Sequence, residues 1–189
     1  MPRIILASAS PRRREILQQA GLTFEVVPAA YEEDNSLKLS PRELVSHLAL
    51  GKAREVAARN PDALVIGADT LVFIGAQVLG KPTNADDVRR MISLLSGQTH
   101  SVATAVAVIA GGTEQTEVSE TLVTFRALTP REIDHYAALP NVYDLAGAYA
   151  VQGTAALFTT RIEGDYLGVV GLPLSVLEPM LARHGIALL

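Results

Sequence analysis

Ile4-Ile-Leu-Ala-Ser-Ala-Ser-Pro-Arg-Arg-Arg-Glu15 sets a short apolar run directly against a helix start. Residues 4–7 predict a buried strand, and residues 11–20 a helix. Pro11 already has the φ a first helical turn needs, and Gly21 suits the position just past the end. Outward from there the same alternation continues. Residues 24–27 predict a second strand, and 28–39 a loop with Pro28, Glu32, Glu33, Asp34, Asn35 and Ser36. Ser40-Pro41-Arg42-Glu43 is a capping box that opens a helix to about residue 59, stopped by Asn60-Pro61. Residues 63–67 predict a buried strand ending at Ala68-Asp69-Thr70. Residues 71–74 either continue it or start another before a turn at Gly75. A helix over 85–95 puts Val88, Met91, Ile92 and Leu95 on one face. Residues 102–109 and 118–125 predict an antiparallel pair around Gly111-Gly112. Thr129-Pro130-Arg131-Glu132 opens another boxed helix that ends before Pro140. Residues 141–172 mix Gly, Tyr and short apolar runs, and 174–184 predict a final amphipathic helix. Crossover helices together with a hairpin imply an α/β fold with a mixed sheet.

The chain has 189 residues, enough for one domain, 1–189, with a proper core. Hydrophobic residues make up 49% and charged residues 19%, which excludes bulk disorder. The net charge is −4 and the pI about 5.6, against the basic excess of a nucleic-acid binder. With no Cys there is no disulfide, thiolate metal site or Cys nucleophile. His47, His100, His135 and His184 show no helical zinc spacing. A signal h-region and an apolar stretch of membrane-spanning length are both missing from the sequence, so the expectation is a soluble cytoplasmic protein without a membrane partner.

Several residues are out of place for a purely structural reading. Three helices open [Ser/Thr]-Pro-Arg; two carry Glu at the third helical position, and the first carries Arg13. Arg12, Arg13 and Arg14 in an opening turn repel one another and oppose the helix dipole. A bound phosphate removes that penalty, with Ser8 and Ser10 as further donors. The plain alternative is a solvated basic turn. Lys52 falls on the apolar stripe Leu44, Val45, Leu48, Ala49, Ala53, Val56, where it must snorkel, pair or touch a ligand. Asp69 at the end of a buried strand is either a metal ligand or general base, or a cap of the next turn. Glu32 and Glu33 lie in a loop long enough to reach a site, or are solvated surface. Gly80-Lys81-Pro82 offers a base in a constrained turn without P-loop spacing. Ser96-Gly97-Gln98-Thr99-His100 reads best as a helix end with Gly97 past the last turn. The Gln152 amide either reads a nucleobase edge or satisfies backbone in the core. Glu163-Gly164-Asp165-Tyr166 reads as a turn between strands. With no Gly-x-Ser-x-Gly elbow there is no support for an esterase. Together the residues point to magnesium-dependent chemistry on a phosphate ester or nucleotide.

The ordered set resembles the Maf-like family of nucleoside triphosphate pyrophosphatases, the septum formation inhibitor proteins. The segments that carry it are Leu6–Glu15, Glu32-Glu33, Lys52-Ala53, Ile66-Gly-Ala-Asp-Thr70, Gly80-Lys81-Pro82, Leu95-Ser-Gly-Gln-Thr-His100, Ala146-Gly-Ala-Tyr149, Gln152-Gly153, Ile162-Glu-Gly-Asp-Tyr166 and Val170-Gly-Leu-Pro173. The resemblance implies a fold similar to the inosine triphosphate pyrophosphatases, with two lobes around a cleft. It implies hydrolysis of dTTP and UTP to the monophosphate and pyrophosphate, with Mg²⁺ or Mn²⁺, and a homodimer. House-cleaning of modified nucleotides is a further implied role. Asp69 matches the family's general base and a metal position, with Glu32 as a second ligand. Arg12, Thr70 and Gln152 match positions linked to base choice; Arg13, Glu32 or Glu33, Lys52 and Lys81 match polar residues of the cleft. Thr70 and Gln152 side with the pyrimidine branch over the 7-methyl-GTP branch. Leu145 stands where the family often has Lys, and Ala150 where it often has Gly. A nucleotide-binding regulator of cell division is the alternative.

Overall fold

The computed structural model describes residues 2–32 and 37–188. Among them, one sheet runs in the order β2-β1-β3-β5-β6-β7, with β4 also paired to β3. The elements are β1 (Arg3–Leu6), α1 (Pro11–Gln19), β2 (Glu25–Val26), α2 (Pro41–Arg59), β3 (Ala63–Ile74), β4 (Gln77–Leu79), α3 (Ala85–Leu95), β5 (Thr99–Ala110), β6 (Thr113–Phe125), α4 (Pro130–Ala137), β7 (Thr159–Glu163), α5 (Tyr166–Val170) and α6 (Leu174–Ala182). β1 is parallel to β2 and β3, and the remaining pairs are antiparallel. The mixed α/β sheet is therefore as expected.

The sheet's two faces split the core, because successive strand residues point to opposite sides. On one face Ile66, Ala68, Val72, Val102, Val106 and Val108 pack with α1, α3, α4 and α6. On the other, Val65, Leu71, Ala103, Ala105 and Ala107 pack against α2. The alanines and Gly67 let α2 come close. A Cβ at Gly67 would stand 2.6 Å from the Ala49 carbonyl oxygen.

Residues 63–74 form one strand, the first of the two alternatives, and a short β4 follows the Gly75 turn. Three expectations need correction. β5 is longer than predicted at both ends, and β6 at its start. Asp165 caps a short helix through Gly168 N at 2.9 Å, so residues 163–166 link a strand to α5 rather than two strands. The last helix stops at Ala182, two residues before the expected end. The capping boxes at Ser40 and Thr129 form as read.

β1 sets the position of the site by ending early. Its last bond to β3 is Ala7 N to Ile66 O at 2.8 Å, and β4 joins β3 only from Val72. Among the described residues, nothing pairs that edge of β3 between the two. Asp69 and Thr70 lie in the gap, pointing to opposite faces.

Candidate active site

A cleft of about 920 Å³ opens at this gap. Ser8, Ser10, Arg12, Arg13, Lys52, Asp69, Thr70, Lys81 and Gln152 all line it. Residues from distant parts of the chain thus meet in one cleft. Glu32 is exposed and does not line the cleft, although its neighbour Tyr31 does. Glu33 lies outside the described residues.

On the α2 face, Lys52 Nζ sits 2.5 Å from Asp69 Oδ1. Both side chains are largely buried, 14% and 9% exposed. Lys52 therefore pairs rather than snorkels. Asp69 lies within a continuous strand and caps no turn, which disposes of its plain alternative. Beside them Tyr31 packs on Gly51, where a Cβ would meet the ring at 2.4 Å, and its hydroxyl lies 3.2 Å from His47 Nε2.

On the opposite face, Arg13 holds three elements together. Its Nε donates to Gly171 O at 2.9 Å, Nη1 to Ser8 Oγ at 3.1 Å and Nη2 to Thr70 Oγ1 at 3.0 Å. The third helical position that carries Glu in two other helices thus serves tertiary structure here. Ser10 makes no side-chain cap bond, so the uncapped first turn of α1 lines the cleft. The Arg triplet divides: Arg12 and Arg13 line the cleft and Arg14 is exposed outside it.

The far wall comes from the segment after α4. Gly147 N donates to Gly80 O at 3.0 Å, and Tyr136 Oη donates to Ala148 O at 3.1 Å. Ala148 has φ +64°, a left-handed conformation uncommon for a residue with a Cβ, and these bonds hold it. Lys81 approaches exposed Asp144 at 3.8 Å. Gln152 is exposed and lines the cleft, so it is not a core amide. Leu145 is buried and helps separate the cleft from a side pocket of about 350 Å³ shared with Arg12, Asn141 and Gln152.

His100 follows the expected helix end, with Gly97 at φ +70°, but lies in the core on β5. Its Nε2 is 2.7 Å from Tyr149 Oη, and its ring packs edge-on to Phe125 and Tyr149. Nδ1 has no hydrogen-bond partner among the described residues. Burial pushes the imidazole down to about 4 from 6.5. A charged ring would leave one N–H unsatisfied, so the folded state holds His100 neutral. The unfolded chain binds that proton more readily between pH 6.5 and 4. Stability is therefore complete above pH 6.5 and falls as the pH drops toward 4, by about 3 kcal/mol for this group. Melting temperature followed from pH 7 to pH 4 should fall less steeply for His100→Phe than for the parent chain. Parallel curves would show that His100 does not carry the acid sensitivity.

Sequence reading passed over Thr104 and Tyr31. Thr104 is fully buried and contacts Thr70. A lone hydroxyl inside the apolar run 102–109 was the available signal. Tyr31 carried none, because its place depends on Gly51 of a different element.

As candidate cation ligands, the cleft supplies the carboxylates of Asp69 and Asp144. Among the described residues no group of three His, Asp or Glu gathers. Carboxylates acting with substrate phosphates are the ligand set of a hard cation such as Mg²⁺.

These features define a mixed α/β protein whose cleft joins cationic side chains, an ion-paired carboxylate and an exposed amide. The Maf-like protein family model matches residues 3–184, and the chain belongs to that family. The chain is 50% identical to the dTTP/UTP pyrophosphatase of Moorella thermoacetica over 188 residues, 98% of this chain and 97% of that one. It is 48% identical over 186 residues to the dTTP/UTP pyrophosphatase of Bacillus cereus, with the same coverage of each chain. A solved HAM1 protein from Coxiella burnetii overlaps 66% of this chain and 73% of its own, with a TM-score of 0.46 and 13% identity.

Proposed function

We propose that the chain is a nucleoside triphosphate pyrophosphatase that converts dTTP and UTP to the monophosphate and pyrophosphate. The observation that carries this reading is the buried Lys52–Asp69 pair on the wall of a cleft also lined by Arg12 and Lys81. A site that only bound a polyanion would gain nothing from a buried carboxylate facing it.

In this reading the first turn of α1, with Arg12, Lys52 and Lys81, neutralises the triphosphate. Arg13 fixes Ser8 and Thr70 at the cleft's edge. Asp69 orients a water and takes its proton as the water oxygen attacks the α-phosphorus. The bond from that phosphorus to the bridging oxygen breaks, and pyrophosphate leaves with the electron pair. Positioning and charge neutralisation supply most of the rate, as in phosphoryl chemistry generally. The reading includes a divalent cation, Mg²⁺ or Mn²⁺, which Asp69 would hold together with the substrate's phosphates; Glu32, exposed and outside the cleft lining, takes no part in it. When bound, the cation would offset charge on the phosphates. Gln152 and Thr70 meet the base. Glu33, a homodimer, a cytoplasmic location and a house-cleaning role toward modified nucleotides belong to the same proposal. No helix among the described residues is long and apolar enough to cross a membrane.

Pyrophosphate release should be measured with Mg²⁺ and with Mn²⁺ on dTTP, UTP, CTP, GTP, 7-methyl-GTP and ITP. The expected result is turnover concentrated on dTTP and UTP, at least about tenfold above the rest, the discrimination that one or two base hydrogen bonds supply. Nucleotide binding without release from any of them would replace the enzyme reading with a regulatory binder.

A further inference from the structure

Thr70 and Thr104 are register partners on β3 and β5, and both point to the face away from α2. Their hydroxyl oxygens are 2.9 Å apart. Thr104 is fully buried, and its hydroxyl donates to Gly168 O at 2.7 Å. A hydroxyl has one proton and two lone pairs. Thr104 has spent its proton on the carbonyl, so the proton in the Thr70–Thr104 bond belongs to Thr70. Thr70 Oγ1 also accepts from Arg13 Nη2 at 3.0 Å, and a guanidinium only donates. The ledger for Thr70 then closes with its proton committed, one lone pair filled by Arg13 and one lone pair left. Thr70 lines the cleft and is partly exposed to it.

We propose that Thr104 is a positioning residue that makes Thr70 an acceptor only toward the cleft, and so selects a nucleobase that presents a ring N–H. Thymine and uracil offer the N3–H donor. Cytosine offers a bare N3 acceptor, whose lone pair would face the Thr70 lone pair. The polarity is set in the core, by the carbonyl of Gly168 in α5, and passes to the cleft through Thr104. Arg13 donates on the other side, so turning the Thr70 proton outward would break its bond to Thr104 and set a Thr70 lone pair against a Thr104 lone pair. This inference rests on the nucleotide reading above and deepens it, because it assigns base choice to the direction of one hydroxyl.

Thr104→Val keeps the shape and removes both the donor to Gly168 O and the acceptor for Thr70. The Thr70 proton is then free to point into the cleft and meet cytosine N3. The test is kcat/KM for dTTP relative to dCTP, with equilibrium binding of dTMP and dCMP measured beside it. Relative to the parent chain, Thr104→Val should reduce the dTTP/dCTP ratio by about tenfold or more, the worth of one directed hydrogen bond in a closed site. Thr104→Ser restores the relay and should stay within about twofold of the parent ratio. A purely structural role for Thr104 would slow both nucleotides alike and leave the ratio unchanged, which would overturn the proposal; so would a Ser variant that behaves like Val. If Thr104→Val does not fold, the parent chain still decides. N3-methyl-dTMP lacks the donor and should bind at least about tenfold more weakly than dTMP. Equal binding of the two, or no preference for dTMP over dCMP, overturns the assignment. Failure of dTTP turnover with the binding preference intact would instead count against the enzyme reading and leave the polarity of Thr70 supported.

Discussion

Asp69→Asn should lower kcat for pyrophosphate release by about 10³-fold while KM for dTTP changes little, the range lost when a positioned general base is removed. The change keeps the side chain's volume and an oxygen able to accept from Lys52, now 2.5 Å away. It removes the charge and the basicity. Asp69 is 6% exposed, and its register partner on β5 is Ala105, so there is little bulk on that face to crowd an amide. The cost to folding comes from Lys52, whose ammonium stays largely buried without its counter-charge. Breaking a buried pair outright costs about 3–5 kcal/mol, and the remaining hydrogen bond should keep the loss below that range. A melt on the same sample therefore separates a chemical defect from a folding defect. A folded Asp69→Asn protein that keeps turnover within tenfold of the parent would remove Asp69 from the mechanism. Lys52→Gln makes the contrasting case. It leaves Asp69 in place but takes a cation from the phosphates, so KM should rise as well as kcat fall.

The fold was legible where local chemistry decides it. Ser40 and Thr129 each carry the Glu that completes a capping box, and both helices start where the boxes place them. The buried run that opens β3 could be read, but whether it continued over residues 71–74 stayed open, because partner strands and not local preference extend it. β4 and α5 were missed for a similar reason. β4 spans Gln77–Leu79, and α5 contains Gly168 and is set by the Asp165 cap and by the Thr121 hydroxyl contacting the Asp165 backbone. Neither is long enough for a periodic pattern to show.

The site was legible as a set of residue types, not as a set of roles. Arg12, Lys52, Asp69, Lys81 and Gln152 stood out because each is costly or unusual in its local context. Arg13 stood out too, but its role depends on Gly171, 158 residues away. No local pattern carries that information. Thr104 acts through Thr70 and Gly168, so its role becomes visible only when protons are counted across three strands and helices. Glu32 was read from its motif, but it is exposed, and its neighbour Tyr31 lines the cleft in its stead.

Gly67→Ala should lower stability by about 2 kcal/mol and turnover by about tenfold or more, although residue 67 touches no substrate. Its Cβ would lie 2.6 Å from Ala49 O, 2.8 Å from Ala53 Cβ and 3.0 Å from Ala53 N. Two of these atoms are backbone of α2, so a side-chain rotation cannot relieve the overlap. The helix must move off the sheet. Lys52 lies on α2 between those contacts and moves with it, while Asp69 stays with β3. The defect in turnover thus acts through the Lys52–Asp69 geometry, and that gives it a signature. In the Asp69→Asn background, Gly67→Ala should cost the same stability as before but little further turnover, because the pair it disturbs is already without its charge. Denaturant melts and kcat on the four proteins of this cycle read both quantities. Additive losses in turnover, or a Gly67→Ala melt that coincides with the parent, would show that the close approach of α2 to β3 does not hold the catalytic pair in place.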